Sequence, residues 1–406
     1  MATRRSEGRG GASGPLGGAS FAAEGPLFAR DLDVAPLARL FADATTSYKF
    51  LFFLALLDAV EERVEERAPV LAAEELATRM LALAWYPSTH CHLSFGPQDQ
   101  ASKLIVQLRE RLHADGYTFD DAEYRDPTPR LRALVAADGD VVRKLLRYVP
   151  FRTLAPFVDD ALRGLADAEK DAAITRAAEA RFDGGGVPYR PIVAEGRLEA
   201  LRVAPRWASY LRAHAAVLRD FTCWHWAAWM RRRNPNVPNI SAHLLRPSRR
   251  ESLAAPTRLW RARLARDEVH CIYTDRRLTA GDLSLDHFLP WSFLGHDEPW
   301  NLTPVERAIN SSKGNRIPAP EFLDKLARQH ASLLVDQRRE EPKRFEQTLS
   351  HYAIGLRLGG SAALDPTASD ADLGGAVRDG FREVFPPLLR IARSQGFPAD
   401  WRPGAD

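Results

Sequence analysis

The chain has 406 residues, long enough for one to three domains with sizeable cores, and its 45% hydrophobic content is ordinary for a soluble globular protein. Three scattered cysteines exclude a disulfide framework and fit a reducing compartment, and the longest apolar run, Phe50 to Leu57, is far too short to span a bilayer. The basic N-terminus lacks the apolar core of a signal peptide, so the expected location is cytoplasmic with no membrane partner.

Residues 1–26 are rich in Gly, Ser and Ala and read as a disordered segment. Residues 27–245 read as a helical domain. Thr45, Thr46 and Ser47 can cap a helix that runs through the apolar stretch after Lys49. A second helix covers 74–85 and is closed by Pro87. Ala101, Leu104, Ile105, Leu108 and Leu112 form a stripe of period 3.6 on a third. Further helices are expected near 140–147, 156–164, 168–180 and 198–232, and strand signals are sparse before residue 269. Beyond residue 320, helices are expected at 321–335, 344–358 and 377–395, with a Gly/Asp/Ser-rich break at 359–375.

Some local features invite a functional reading and have a plainer one. His90-Cys91-His92 could turn two imidazoles to one face, but no third or fourth ligand is near in the sequence. Trp224-His225-Trp226 with Trp229 could stack bases, while Trp226 and Trp229 fit better as core residues of a helix. Tyr48 and Lys49 at a helix start could meet a phosphate; a structural Tyr and a Lys lying along apolar surface is the simpler account.

The densest chemical signal lies between residues 269 and 317. Val269 to Tyr273 is β-branched and aromatic, and Asp275-Arg276-Arg277 supplies a turn. Leu283 to Leu289 reads as a second strand ending at Pro290. After a loop from Trp291 to Trp300, Thr303, Pro304 and Glu306 look like the N-cap, first turn and capping-box residue of a helix that stops at Gly314. This arrangement carries Asp286, His287 and Asn310 toward one point. A hard oxygen ligand beside an imidazole, with a second oxygen ligand returning from a later segment, suits metal-assisted phosphodiester hydrolysis. An Asp-His pair alone, Asn301 alone or Lys313 alone would carry little weight. Their joint spacing carries the reading.

At Leu285-Asp286-His287-Phe288-Leu289-Pro290-Trp291, Trp300-Asn301-Leu302 and Asn310-Ser311-Ser312-Lys313-Gly314-Asn315-Arg316, the sequence resembles the HNH endonuclease family, the ββα-metal nucleases, over about an eighth of the chain. The resemblance implies His287 as general base and Asp286 as a metal ligand. It implies Asn301 as the residue that holds the loop and orients the base, and 5′-phosphate and 3′-hydroxyl products. Asn310 stands where the last histidine of the name would be, an HNN variant. An amide oxygen suits Mg²⁺ or Mn²⁺ and serves Zn²⁺ poorly. Many relatives add two Cys-x-x-Cys pairs around a structural zinc. Here only Cys91, Cys223 and Cys271 exist and Thr274 takes a partner's place, so no structural zinc is expected. Motifs at Ser47–Phe50, Trp85–Pro87, Val187–Arg190 and Asn234–Ile240 are similar to those of bacterial HNH-domain proteins with a long helical N-terminal region.

The net charge is only +3, yet Arg231 to Arg266 holds ten arginines against the single acid Glu251, a local net of +9. Arg231, Arg232, Arg233, Arg249 and Arg250 lead into the motif, with Lys313 and Arg316 beyond it, and all seven are expected to bind phosphates. The expected fold class is mainly α with a small embedded α+β unit: helical residues 27–245, a ββα-metal nuclease domain at 246–320 and a helical region at 321–406. The expected activity is metal-dependent cleavage of DNA, with RNA as the alternative substrate and an inactive nucleic-acid-binding or sensing protein as the alternative class. By analogy the setting is restriction or phage defence. One motif nicks one strand, so double-strand cleavage would call for a homodimer, a partner subunit or two successive nicks.

Overall fold

The computed structural model describes residues 32–97, 99–114, 126–247, 252–358 and 368–404. The fold is mainly α with a small ββα unit. Helix α1 (Tyr48–Glu61) is apolar on every side, and Phe50 through Leu57 are all buried. A helix apolar all round belongs at the centre of a core. It is wrapped by α2 (Ala73–Trp85) and, from later in the chain, by Pro205–Ala213 and Ala215–Arg231. The stripe on α3 (Gln100–Ala114) is buried at all five positions named from the sequence. The helix at Asp167–Phe182, α4, follows; Pro205–Ala213 is α5 and Ala215–Arg231 is α6. Trp226 and Trp229 are core residues, whereas Trp224 is 75% exposed.

The helix expected from residue 198 does not begin there. Strand β1 is Val70–Ala72, β2 is Tyr189–Ala194 and β3 is Arg197–Val203, in the antiparallel order β1-β3-β2. Ala194 pairs with Arg197, so the hairpin loop is only Glu195-Gly196, with φ of +51° and +73°. Two successive left-handed residues make the type I′ turn that suits a twisted hairpin. That turn overrides the helical tendency of the flanking alanines and leucines.

Two hydrophobic cores result. The first gathers residues from Leu37 to Leu244, the second from Trp260 to Trp401. The second contains the hairpin β4 (Leu283–His287) and β5 (Leu302–Glu306), together with α7 (Ala254–Leu264) and the short α8 (Arg307–Lys313). It also contains the C-terminal helices α9 (Glu321–Glu340), α10 (Pro342–Gly355) and α11 (Asp370–Ser394). The nuclease-like hairpin therefore shares one core with the C-terminal helices. Residues 317–319 are held by the chain end: Pro318 bridges Trp401 in parallel, and Trp401 donates its backbone N–H to the Ile317 carbonyl at 3.0 Å.

Two local expectations are corrected here. Residues 269–273 form a tight turn with a single bridge, His270 to Arg277, and the true partner of β4 is 302–306. Thr303 to Glu306 is thus strand, and the helix starts three residues later than expected, with its first residue at Arg307 rather than Pro304. Proline fits both the first turn of a helix and a sheet edge, because each lacks a partner for its missing N–H. In a two-stranded sheet every strand has a free edge, which is how Pro304 is accommodated opposite Leu285.

His90, Cys91 and His92 form no ligand cluster. His90 stacks on Tyr86 at 5.1 Å, and its Nδ1 lies 3.4 Å from Asn315 Nδ2. His92 packs on Phe397 at 4.4 Å. The triplet lies on the seam between the two cores.

Candidate functional site

The β4–β5 hairpin and α8 bring the expected residues together by simple periodicity. Alternate residues of a strand face one side, and residues three apart on a helix share a face. Ser284 and Asp286 on β4 thus meet Asn310 and Lys313 on α8. Asn310 Nδ2 donates to Ser284 Oγ at 2.8 Å and to the Leu285 carbonyl at 3.0 Å. A carbonyl only accepts, which fixes the amide's orientation and leaves Asn310 Oδ1 directed away from both bonds.

Asp286 is 2% exposed and both its oxygens are engaged. Oδ2 accepts from the Tyr273 hydroxyl at 2.7 Å, and Oδ1 from the Lys313 ammonium at 3.0 Å. Lys313 is fully buried and also donates to the His287 carbonyl at 2.7 Å. The sequence directs Lys313 to flanking phosphates; the structure instead places it inside the site, as the counter-charge of Asp286. Its buried aliphatic stem and neighbouring carbonyl hold it there. Burial lowers the pKa of this ammonium, opposed by the Asp286 charge, and burial with the same Asp286 charge raises Tyr273 well above the usual phenol range. Tyr273 therefore remains a hydrogen-bond donor at neutral pH.

His287, the next residue along the pleat, meets a group that sequence reasoning missed. Its Nε2 lies 2.6 Å from Asp297 Oδ1, a residue of the loop between the two strands. A carboxylate accepts, so Nε2 carries the hydrogen and Nδ1 is the ring's basic nitrogen. The available signal is one of two adjacent carboxylates in the loop between the strands, and nothing in the spacing sets Asp297 apart from Glu298. Asn301 is fully buried and makes a closed pair with one residue. Its Oδ1 accepts from Leu289 N and its Nδ2 donates to Leu289 O, both at 2.9 Å. Phe288 N donates to the Asn301 carbonyl at 2.9 Å, so the loop is pinned at its two ends.

The turn at Cys271 is tied down by side-chain contacts. Cys271 is buried, Thr274 Oγ1 donates to Glu306 Oε2 at 2.8 Å, and Tyr273 packs edge-on against Phe322 and Trp401. Among the described residues no three His, Cys, Asp or Glu side chains are grouped to hold an ion. The remaining candidate donors are Asp286 and Asn310 Oδ1. Both are hard oxygens, and each Asp286 oxygen, accepting one bond, retains acceptor capacity. That set suits Mg²⁺ or Mn²⁺, with the condition that the ion shares Asp286 with the Lys313 ammonium.

The arginines divide. Arg231 and Arg232 are exposed and make no ion pair among the described residues. Arg233 lies over the Trp229 ring at 3.4 Å and donates to the Thr45 carbonyl, so it serves packing rather than a free basic face. Arg263 pairs with Asp336, and Arg266 with Glu340 and Glu341. Arg316 donates to the Ser312 and Lys313 carbonyls at the end of α8. Arg249 and Arg250 lie outside the described residues.

The HNH endonuclease family matches residues 271–319, the span that holds every element of this site. That span is an HNH endonuclease domain within the chain. No curated protein and no solved structure matches the chain. The domain supports a nuclease of the HNH kind, and HNH nucleases generally act on nucleic acid with a divalent metal. Among the described residues, no helix is long and apolar enough to cross a membrane.

Proposed function

We propose that this HNH protein is a metal-dependent endonuclease that hydrolyses phosphodiester bonds in DNA. The observation that carries the reading is the Asn310 amide. With Nδ2 anchored on β4, it turns a free oxygen out next to the strand that bears Asp286 and His287. Asp286 and Asn310 would hold Mg²⁺ or Mn²⁺; when bound, such an ion supplies positive charge against the phosphate. His287 takes the proton of the attacking water at Nδ1, and Asp297 holds Nε2–H and so the ring's orientation. A bond forms from the water oxygen to phosphorus as the bond to the 3′ oxygen breaks. Asn301 keeps the loop in register beneath His287. Exposed Arg231 and Arg232 supply phosphate contacts on the flanking backbone. A large helical region joined to a nuclease unit suits a restriction or phage-defence effector.

One observation favours a second reading, binding without cleavage: Asp286 is buried and already paired with Lys313. A plasmid-cleavage assay with EDTA, Mg²⁺ or Mn²⁺ separates them. Loss of supercoiled plasmid that requires both metal and His287, tested with His287→Ala, is the expected result. Intact plasmid in every condition, with RNA also uncut, would favour the binding protein.

A further inference from the structure

The loop that carries Asp297 does not stand alone; it is seated on the helical unit. Asn239, at φ +48°, donates from Nδ2 to the Gly295 carbonyl at 3.0 Å. Gly295 itself has φ +70°, and a Cβ built there would lie 3.0 Å from Asn239 Nδ2, 3.0 Å from His243 Nε2 and 3.1 Å from the Ala242 methyl. The neighbouring Trp291 meets His243 edge-on, with centroids 6.3 Å apart. His243 and Ile240 are buried. The fit leaves no room for the loop to approach closer, and Asn239 stops it from lifting away. Two residues on, Asp297 grips His287.

We propose that the 239–243 turn of the helical unit positions the general base, acting through Gly295 and Asp297 on the ring of His287. Asn239 is a positioning residue that lies outside the HNH span, and the proposal rests on the nuclease reading above. Its sequence setting supports the assignment. Asn239 closes the run Asn234-Pro235-Asn236-Val237-Pro238-Asn239, whose prolines stiffen the backbone that presents it. The run's first member is fixed as firmly as its last: Asn234 holds both the N–H and the carbonyl of Ser94, each at 2.8 Å. The turn is therefore a rigid stop, and a rigid stop can hold a catalytic ring to the fraction of an ångström that proton transfer needs.

The test compares the full chain with Asn239→Asp, which keeps the side chain's shape but removes the donor, and with Gly295→Ala, which forces the loop outward. Asp297→Asn serves as the direct perturbation of the ring. The first readout is the ¹⁵N resonances of the His287 ring in histidine-labelled protein, identified by their absence from His287→Gln. The second is the split between kcat and KM on plasmid. Movement of the His287 resonances in Asn239→Asp, together with a kcat about ten-fold lower at a KM changed less than about two-fold, is expected for a displaced base on an intact binding surface. Unmoved resonances in Asn239→Asp would overturn the proposal whether or not the protein cuts DNA. So would moved resonances in an active enzyme whose kcat is unchanged. Moved resonances in a protein that cuts nothing would uphold the positioning contact and overturn the nuclease reading instead.

Discussion

Each half of the molecule buries an aspartate, and the two are satisfied by different kinds of donor. Asp99, 3% exposed in the helical unit, accepts from the backbone N–H groups of Ser47, Ala101 and Ser102 and from the Ser47 hydroxyl. Three of these four donors are main chain. They cap α3 and tie it to the start of α1, and no donor can leave unless the fold opens. Asp286 in the nuclease unit accepts only from side chains, a phenol and an ammonium. Side chains can turn away without unfolding anything, so Asp286 can exchange one partner for another and Asp99 cannot. A carboxylate held by rotatable groups is one equipped to take part in chemistry.

The comparison can be broken most directly at Lys313. Lys313→Met removes the counter-charge of a buried carboxylate, and a loss of about 3–5 kcal/mol is expected in denaturant unfolding. Mn²⁺ should restore part of this loss if Asp286 is a metal ligand, since an ion bound only to the folded state stabilises it. A Lys313→Met protein that unfolds like wild type, with no response to Mn²⁺, would remove the distinction. Asp99→Ala should cost about 2–3 kcal/mol through orphaned backbone donors, and here Mn²⁺ should make no difference. The closed amide pairs sharpen the contrast further. Asn234→Ala and Asn301→Ala each abandon one N–H and one carbonyl, at about 1–3 kcal/mol apiece. Plasmid cleavage at a temperature where both remain folded should fail for Asn301→Ala and be slowed without being lost for Asn234→Ala, which loosens the turn that carries Asn239.

The smallest effect at neutral pH concerns His330, buried in the second core with Nδ1 2.6 Å from the Tyr352 hydroxyl. Burial lowers its pKa from 6.5 to about 3. Below pH 6.5 the unfolded chain binds a proton that the folded chain refuses, so this contribution is complete above 6.5 and is lost as pH falls toward 3. Urea midpoints measured across that window should decline, and His330→Gln should flatten the decline; an unchanged slope would show that other groups set it.

The parts of this fold that were legible in the sequence are those where one local rule acts alone. The stripe on α3 and the apolar α1 follow from spacing, while Asp286, His287, Asn301 and Asn310 are singled out together by the HNH resemblance. The strand at 302–306 reads as a helix start because Thr-Pro-x-Glu satisfies that rule as well as an edge strand, and only the pairing with 283–287 decides. The hairpin at 189–203 was hidden in the same way by helix-forming residues around a turn. Asp297 and Asn239 were invisible for another reason: each matters through one contact with a residue distant in sequence or across a loop, and periodicity carries no trace of that. Spacing puts Lys313 on the helical face it occupies but not inside the core, since a lysine's burial depends on what the rest of the chain folds over it.

The bridge between Pro318 and Trp401 has a consequence for how the protein is made. Residues 271–319 leave the ribosome well before residues 398–401, yet Ile317 and Ala319 find their backbone partners only in that later segment. Tyr273, the phenol on Asp286, likewise lies against Trp401 at 5.1 Å. During synthesis the helical unit can fold first, while the cutting unit stays unfinished until about eighty further residues have emerged. On the proposed nuclease reading, a site completed last is withheld from the nucleic acid around it while the chain is being translated.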